Sequence, residues 1–422
     1  MSVRAGPARE GVGVRRVVAV FAPGNRMLGG LLDLGRVAVF EQLPELVAEH
    51  AAEANLAQVQ LYVVDLRGQV LRELTGRGLD AGGNGQEFGV DSSLPGRAFR
   101  DVRTVVASAP GDDGRVVHWA PLLDGTERLG VLRAELPSGD DAAATALREL
   151  AALVGLLLVS KREVSDSYAR LIRRQPMTVA AEMQWHLMPP SSFANRRVVV
   201  GAAMEPAYEV GGDAFDYAVA GDIVHIAVFD AMGHDTAAGL ASNLSVAACR
   251  AFRRQNADPV TIGREIERVL VEQFGSGRFV TAILADLDTS SGQLSWVNYG
   301  HHPPVVIRGG RWVSSLPCPP AYPLGMDLGL DATVCQEQLE PGDRLLLYTD
   351  GVTEARDATG REFGLSRFVD FVVRHHADGL AVPETLRRLM RALIDHHGGR
   401  LQDDATVIFL EWAGPHEANK KI

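Results

Sequence analysis

Three acidic residues in this chain stand where an apolar run gives way to a small residue. They are Asp230 in Phe229-Asp230-Ala231, Asp350 in Thr349-Asp350-Gly351, and Asp403 in the turn Gln402-Asp403-Asp404-Ala405. Carboxylates at strand ends can converge from distant positions in a sequence, and hard divalent cations such as Mg²⁺ and Mn²⁺ prefer such oxygen ligands, completed by water. Taken singly, each of these aspartates is more commonly a turn or cap residue, because Asp bonds its own neighbouring backbone. Thiol chemistry on phosphorus has no support. The residues six positions beyond Cys249, Cys318 and Cys335 are Gln255, Leu324 and Pro341, so no C-x₅-R loop exists.

Composition narrows the class. The 422 residues exceed one ordinary core and predict two domains with a connector. A formal net charge of −11 excludes a nucleic-acid binder, which needs a basic face. The three cysteines are odd in number and lack C-x-x-C spacing, which predicts a reduced, cytoplasmic chain without a disulfide framework or zinc site. Arg15 and Arg16 precede Val17–Ala22, too short for a signal-peptide core and expected as strand or loop. The most apolar run, Leu150–Val159, has ten residues where a membrane span needs about 20, so no crossing of a bilayer is expected.

The elements that must position these groups follow from periodicity. Residues 1–35 are rich in Gly and Arg and are expected to be a flexible N-terminus. Phe40, Leu43, Leu46 and Val47 predict a helix, and Ala57–Leu66, Thr104–Ala107, Val116–Pro121 and Arg128–Glu135 predict strands, which makes 36–140 an α+β domain. Leu147, Leu150, Val154, Leu157, Lys161, Val164, Tyr168 and Leu171 follow alternating spacings of three and four. They predict a coiled-coil seam in a helical linker over 141–190 and a parallel homodimer; the competing reading is an amphipathic helix packed on its own domain. Pro176 interrupts that helix, and Met177–Met188 predicts a second piece ending at Pro189-Pro190. Beyond it, strands are expected at Arg197–Ala203, Ile223–Asp230, Val280–Asp288, Gln293–Asn298 and Arg344–Thr349, with helices at Thr236–Arg253 and Pro259–Phe274.

Two stretches carry family resemblances. Ser93-Leu94-Pro95-Gly96-Arg97-Ala98, Thr104-Val105-Val106, Trp119-Ala120-Pro121-Leu122 and Leu129-Gly130-Val131-Leu132 resemble a GAF domain, a bacterial ligand-sensing module. From about 180 to 412 the motifs run in order: Met183-Gln184, Leu187-Met188-Pro189, Glu205-Pro206-Ala207, Val210-Gly211-Gly212-Asp213 with Asp216, and Asp230-Ala231-Met232-Gly233-His234. Phe279-Val280-Thr281-Ala282, Gly300-His301-His302-Pro303-Pro304, Leu324-Gly325, Pro341-Gly342-Asp343, Tyr348–Ala355, Phe363-Gly364 and Asp403-Asp404-Ala405-Thr406 complete the series. This series resembles the SpoIIE-like branch of the PP2C phosphatases.

The resemblance implies an α/β sandwich of two antiparallel sheets flanked by helices over 191–412, with 413–422 a tail. It implies serine/threonine protein phosphatase activity with two Mn²⁺ or Mg²⁺ ions. Asp230 would bridge both ions and the Ala231 carbonyl would bind one. Asp350 and Asp403 would complete the other, and Asp213 would act mainly through water; Asp403 and Asp404 remain exchangeable. The chemistry is consistent, since a dianionic phosphomonoester repels hydroxide and paired cations neutralise charge while activating water.

The chain departs from the family pattern at Asp235, where Gly is usual; Asp235 is expected to cap the helix that begins at Thr236, the competing reading being an extra carboxylate that alters metal affinity or helix entry. The adjacent His301 and His302 are expected in a structural turn, since neighbouring side chains in extended backbone point apart. By the same resemblance the substrate is a phosphorylated regulator of the anti-sigma-factor-antagonist type, with an unknown ligand or partner at the GAF-like sensor. The alternative is a catalytically silent scaffold that senses a ligand and binds a partner.

Overall fold

The computed structural model describes residues 23–108, 114–205, 208–209, 211–329, 331–399, 401 and 403–415. Val17–Ala22, Pro206, Ala207, Val210 and Gln402 lie outside the described residues.

In the N-terminal unit, helices α1 (Pro23–Gly35) and α2 (Leu43–Ala51) precede strands β1 (Ala57–Val64), β2 (Val70–Leu74) and β3 (Glu87–Gly89). Helix α3 (Leu94–Asp101), strands β4 (Val105–Ser108), β5 (Arg115–Asp124) and β6 (Glu127–Pro137), and helices α4 (Asp141–Arg162) and α5 (Asp166–Ile172) follow. The strands form one antiparallel sheet in the order β3-β2-β1-β6-β5-β4. Alternation gives the sheet two apolar faces. Leu61, Val63, Leu132 and Ala134 pack against α1, α2 and α4, while Tyr62, Val131, Val117 and Trp119 pack with Ala98 and Phe99 of α3.

Three expectations are overturned, two in this half and one in the C-terminal unit. Residues 23–35 form a helix because Met27 and Leu31 are fully buried in the core, so that part of the expected flexible N-terminus is ordered by packing. The coiled-coil seam does not form. Leu147, Leu150, Val154 and Leu157 are buried in their own domain, α4 ends at Arg162, and Ser165 caps a separate α5. A period of three and four serves any helix with one apolar face, and here the nearby sheet takes that face. The seam therefore lends no support to the expected homodimer. Finally, Cys318 and Cys335 are bonded as a disulfide, against the expectation of none. Their separation of 17 residues gave no sequence signal, because adjacency arises from folding.

Helix α4 is the one described helix long and apolar enough to cross a membrane. Half of it is buried in the domain, which marks a core helix.

The connector is shorter and less helical than expected: α6 (Val179–Leu187) starts after Thr178, whose side chain accepts from Ala181 N. Strands β7 (Ser192–Ala194), β8 (Val198–Glu205), β9 (Asp213–Ala220) and β10 (Ile223–Ala231) lead to helices α7 (Thr236–Arg253) and α8 (Pro259–Phe274). Strands β11 (Val280–Asp288), β12 (Gln293–Tyr299), β13 (Val305–Arg308), β14 (Trp312–Ser315), β15 (Cys335–Gln338) and β16 (Arg344–Tyr348) follow. Helices α9 (Asp350–Thr353), α10 (Leu365–Ala377) and α11 (Val382–His396) and strand β17 (Ala405–Trp412) complete the unit.

The strands make two antiparallel sheets, β15-β12-β11-β10-β9 and β14-β13-β16-β17-β8-β7. Val200, Phe215, Ile226, Val228, Leu345, Leu347, Ile408 and Leu410 fill the space between them. Helices α7 and α8 cover one outer face and α10 and α11 the other. This is the sandwich of two antiparallel sheets flanked by helices that the family resemblance implied.

Candidate active site

Strand alternation places the acidic residues. In β9, Phe215 and Tyr217 face the inter-sheet core, so Asp213 at the strand's start shares that face. In β10, Val224, Ile226 and Val228 do the same, which puts Asp230 beside Asp213, its cross-strand partner. In the second sheet, Leu345 and Leu347 set the parity of Thr349, and Ile408 and Leu410 set that of Thr406 and Asp404. All of these groups reach the same mouth of the sandwich.

Glycines make the approach close enough. A Cβ on Gly212 would meet the carbonyls of Ala231 and Gly233 at 2.5 and 2.6 Å, and one on Gly351 would collide with the carbonyl of Asp404. The backbone of Ala231 donates to Gly212 O at 3.1 Å, which locks the Gly211–Asp213 turn against the end of β10.

The two neighbouring aspartates left exchangeable by the sequence differ sharply. Asp404 is buried, and its Oδ2 accepts from the backbone N–H of Gly211 (2.8 Å), Gly212 (2.6 Å) and Asp213 (3.2 Å). Asp403 is exposed; its Oδ1 accepts from the N–H of Asp404 at 2.9 Å. Asp213 is buried, its Oδ2 accepts from Thr349 Oγ1 at 2.6 Å, and Thr349 Oγ1 accepts from Thr406 N at 2.9 Å.

These carboxylates repel one another. Burial, then Asp230 and Asp404, push Asp213 well above the usual carboxylate range. Burial, then Asp350, Asp403 and Asp404, push Asp230 up to about 7. Although its surface is exposed, Asp403 is raised by partial desolvation of its carboxyl and by Asp350, with the Asp404 N–H and His234 working the other way. The structure therefore brings Asp213, Asp230, Asp350, Asp403 and Asp404 into one electrostatic cluster whose repulsion a divalent cation would relieve. Among the described residues no group of three or more His, Cys, Asp or Glu is arranged to hold a metal ion as it stands. The donor set is nevertheless all oxygen and fits Mg²⁺ or Mn²⁺ in type.

Asp235 is the N-cap of α7, accepting from Ala238 N at 2.8 Å, and it pairs with Arg278 at 2.6 Å, as a capping residue should. Asp216 is spent on Arg250 and Arg253. His301 is buried with both ring nitrogens engaged, Nδ1 with Thr281 Oγ1 at 2.7 Å and Nε2 with Tyr348 O at 3.0 Å. A carbonyl can only accept, so Nε2 carries the proton and Nδ1 accepts from the threonine hydroxyl. Burial, then His302, hold this ring neutral, down to about 3. His301 is thus structural, while the exposed His302 stacks on Tyr348.

Sequence reasoning assigned no role to Thr349, Thr406, Gln184 or Ser242. Gln184 Nε2 donates to Asp213 O at 2.6 Å, and Ser242 Oγ donates to Gly212 O. The parity of β16 and β17 was the available signal for the two threonines; none existed for the helical residues.

An inter-sheet mouth lined with aspartates, in a sandwich flanked by helices, is the arrangement that the PP2C resemblance implied. Residues 220–413 match the family described as Stage II sporulation protein E (SpoIIE). The chain is 26% identical over 280 residues to Protein IcfG of Synechocystis, covering 58% of this chain and 42% of IcfG. It is 23% identical over 238 residues to Phosphoserine phosphatase RsbU of Bacillus subtilis, covering 56% of this chain and 70% of RsbU. It thus spans less than half the length of IcfG. Among solved structures, the RsbU and RsbW domains of Rv1364c from Mycobacterium tuberculosis align with a TM-score of 0.46 and 23% identity, over 54% of this chain and 64% of that one.

Proposed function

We propose that this chain is a Mn²⁺- or Mg²⁺-dependent protein phosphatase that removes phosphate from serine or threonine of a small cytoplasmic regulatory protein, under the control of its N-terminal domain. The observation that carries this reading is the cluster of mutually repelling carboxylates at the mouth of the sandwich, together with the family of residues 220–413. Asp230, Asp350, Asp403 and the Ala231 carbonyl would hold two cations, with Asp213 acting through water. Bound there, the ions would supply activated water and charge neutralisation for in-line displacement. Asp404 and Thr349 hold the Gly211–Asp213 backbone and the Asp213 carboxylate in place, and His301 ties β11 to β16 without charge. The relative's name, phosphoserine phosphatase, supports the substrate class, and the anti-sigma-factor-antagonist type of substrate rests on the resemblance.

The N-terminal unit reads as a GAF-like sensor, with Ser93 capping α3 at 3.0 Å in the motif that suggested it. Control through the connector is supported by its ties. Arg174 N donates to Tyr208 Oη at 3.1 Å, Thr178 N donates to Tyr208 O at 3.0 Å, and Arg173 pairs with Glu182 on α6.

The deciding assay is release of phosphate from phosphoserine proteins with and without Mn²⁺. Activity should vanish in EDTA, and Asp230→Asn should lower turnover by at least about 100-fold. Full activity in chelator would overturn the reading. A chain beginning at Met177 should differ from the full chain in turnover; identical values would make the N-terminal unit a passenger.

A further inference from the structure

Of the three cysteines that the proposed chemistry leaves unused, Cys318 and Cys335 are joined by the fold across 17 residues. Cys318 is buried in the core between the two sheets, and the half-buried Cys335 opens β15, an edge strand. The segment they close lies against the strand that supports the carboxylates. Val280 N donates to Leu324 O at 2.8 Å and Leu324 N to Val280 O at 2.9 Å, and Val280 is the cross-strand partner of Ala231. Ala321 N donates to Asn298 O at 2.9 Å. Gly325, at φ +94°, passes so near Arg278 that a Cβ would meet its carbonyl at 2.5 Å. Arg278 in turn donates to Met232 O at 2.9 Å and to Asp235 at 2.6 Å. The segment closed by the two cysteines therefore touches, at Leu324 and Gly325, the residues that hold Asp230–Met232.

We propose that Cys318 and Cys335 are a reversible oxidation site whose disulfide fastens this segment and so favours the cation-binding arrangement of the neighbouring carboxylates. In a reducing compartment such a pair is a dithiol that oxidises transiently, the usual form of an intracellular redox sensor. A hydroperoxide is the fitting oxidant. The thiolate of Cys335, the more accessible, attacks a peroxide oxygen and gives a sulfenic acid while the O–O bond breaks to release alcohol or water. The Cys318 thiol then displaces the sulfenic oxygen as water and forms the S–S bond. Two thiols and one hydroperoxide thus yield one disulfide, one alcohol and one water, and a dithiol reductant returns two electrons and two protons. The remaining cysteine does not compete, since Cys249 is buried and its thiol is pushed up to about 12 by that burial.

The effect on activity rests on the phosphatase reading; the effect on structure does not. Full-length protein, oxidised with hydrogen peroxide or reduced with dithiothreitol, is followed by peptide mapping, by melting with and without Mn²⁺, and by hydrolysis of p-nitrophenyl phosphate. The oxidised protein should yield a bridged Cys318–Cys335 peptide, and reduction should lower its Tm by about 5–10 °C. Reduction should also raise the Mn²⁺ concentration needed for half of the Mn²⁺-induced Tm shift by roughly tenfold. Cys318→Ser with Cys335→Ser should behave as the reduced protein in both states, while Cys249→Ser still responds. Absence of the bridged peptide after peroxide overturns the proposal, as does a bridge that changes neither Tm nor Mn²⁺ requirement. If Tm and Mn²⁺ requirement shift while no state hydrolyses the phosphoester, the redox site stands and the phosphatase reading fails.

Discussion

Arg128 at the start of β6 and Glu384 in α11 are 256 residues apart in sequence, yet Arg128 Nη1 meets Glu384 Oε2 at 2.7 Å. Their side chains are 8% and 2% exposed, so the ion pair is a buried bolt between the two domains. Arg387 and Arg388 also bind Glu384, Arg387 reaches Asp91 of the N-terminal unit at 2.7 Å, and Arg67 pairs with Glu205 at 3.2 Å.

Removing Glu384 should undock the domains. A Glu384→Ala change leaves two buried guanidinium groups without their shared partner, which costs about 3–5 kcal/mol. Calorimetry should then show the N-terminal unit melting separately and earlier than the phosphatase unit. A single transition at the wild-type temperature would remove this pair from the docking account. The pH sign follows from the direction of the shift. Burial works against ionisation, but the hydrogen bond from Arg387 and the charge of Arg128 win and hold Glu384 down at about 2. Docking strength is therefore full above the unfolded value near 4.5 and is lost as the pH falls toward about 2.

Asp403 and Asp404 should separate stability from chemistry. Asp404→Ala strips the acceptor from three backbone N–H groups, two of which come from Gly211 and Gly212, and leaves them buried and unpaired. A loss of about 2–4 kcal/mol is expected, read as a Tm lowered by roughly 5–10 °C. Asp403→Ala removes an exposed carboxylate that repels its neighbours, so stability without cation should stay within about 0.5 kcal/mol while Mn²⁺-dependent activity is lost. The reverse pattern would exchange their roles.

How far the sequence reaches is visible in these residues. The strands that carry Asp230 and Thr349 were readable because alternation of apolar and polar residues is a local property, and parity then fixes the face each side chain takes, whereas β9, which carries Asp213, was not among the expected strands. Asp404 looked like its neighbour because its distinguishing partners, the N–H groups of Gly211–Asp213, are about 190 residues away and leave no local trace. The seam of α4 failed for the opposite reason. Its local pattern was clear, but a helix face records only that something apolar covers it, and the sheet of its own domain does so. The disulfide, the docking ion pairs and the helix at 23–35 are likewise consequences of tertiary contact.

Histidine 301 predicts a second pH dependence. Its ring is held neutral down to about 3, against about 6.5 in an unfolded chain. Above 6.5 both states are neutral and nothing is lost. As the pH falls below 6.5 the unfolded chain takes up a proton that the native state refuses, so stability should decline by roughly 1.4 kcal/mol per pH unit toward pH 3. Asp213 and Asp230, with raised values, act in the opposite direction without cation, so the comparison that isolates His301 is with His301→Asn, which shares them. The difference in unfolding free energy between wild type and variant should shrink from pH 7 to pH 5. A constant difference would show that His301 titrates as an ordinary histidine.

Gln184 should act as a positioning residue for Asp213. It is fully buried on α6, and its Nε2 donates to Asp213 O at 2.6 Å and to Gly211 O at 3.4 Å, so one side chain braces both ends of the glycine turn. Asp213 and the N–H groups that donate to Asp404 lie on that same turn, which makes α6 a support for the carboxylate cluster. Replacing Gln184 with Leu keeps the volume but leaves two buried carbonyls without this donor, a loss of about 1–3 kcal/mol. A purely structural role would lower the Tm alone. Positioning predicts in addition that the Mn²⁺ requirement for phosphate release rises by roughly tenfold, the lower range for losing a group that orients metal ligands. Gln184→Glu, protonated in this buried place, can donate a single hydrogen bond and should recover part of the Mn²⁺ affinity at low pH. A Leu variant with reduced Tm but unchanged Mn²⁺ requirement would make α6 packing only, and would separate the connector from the site.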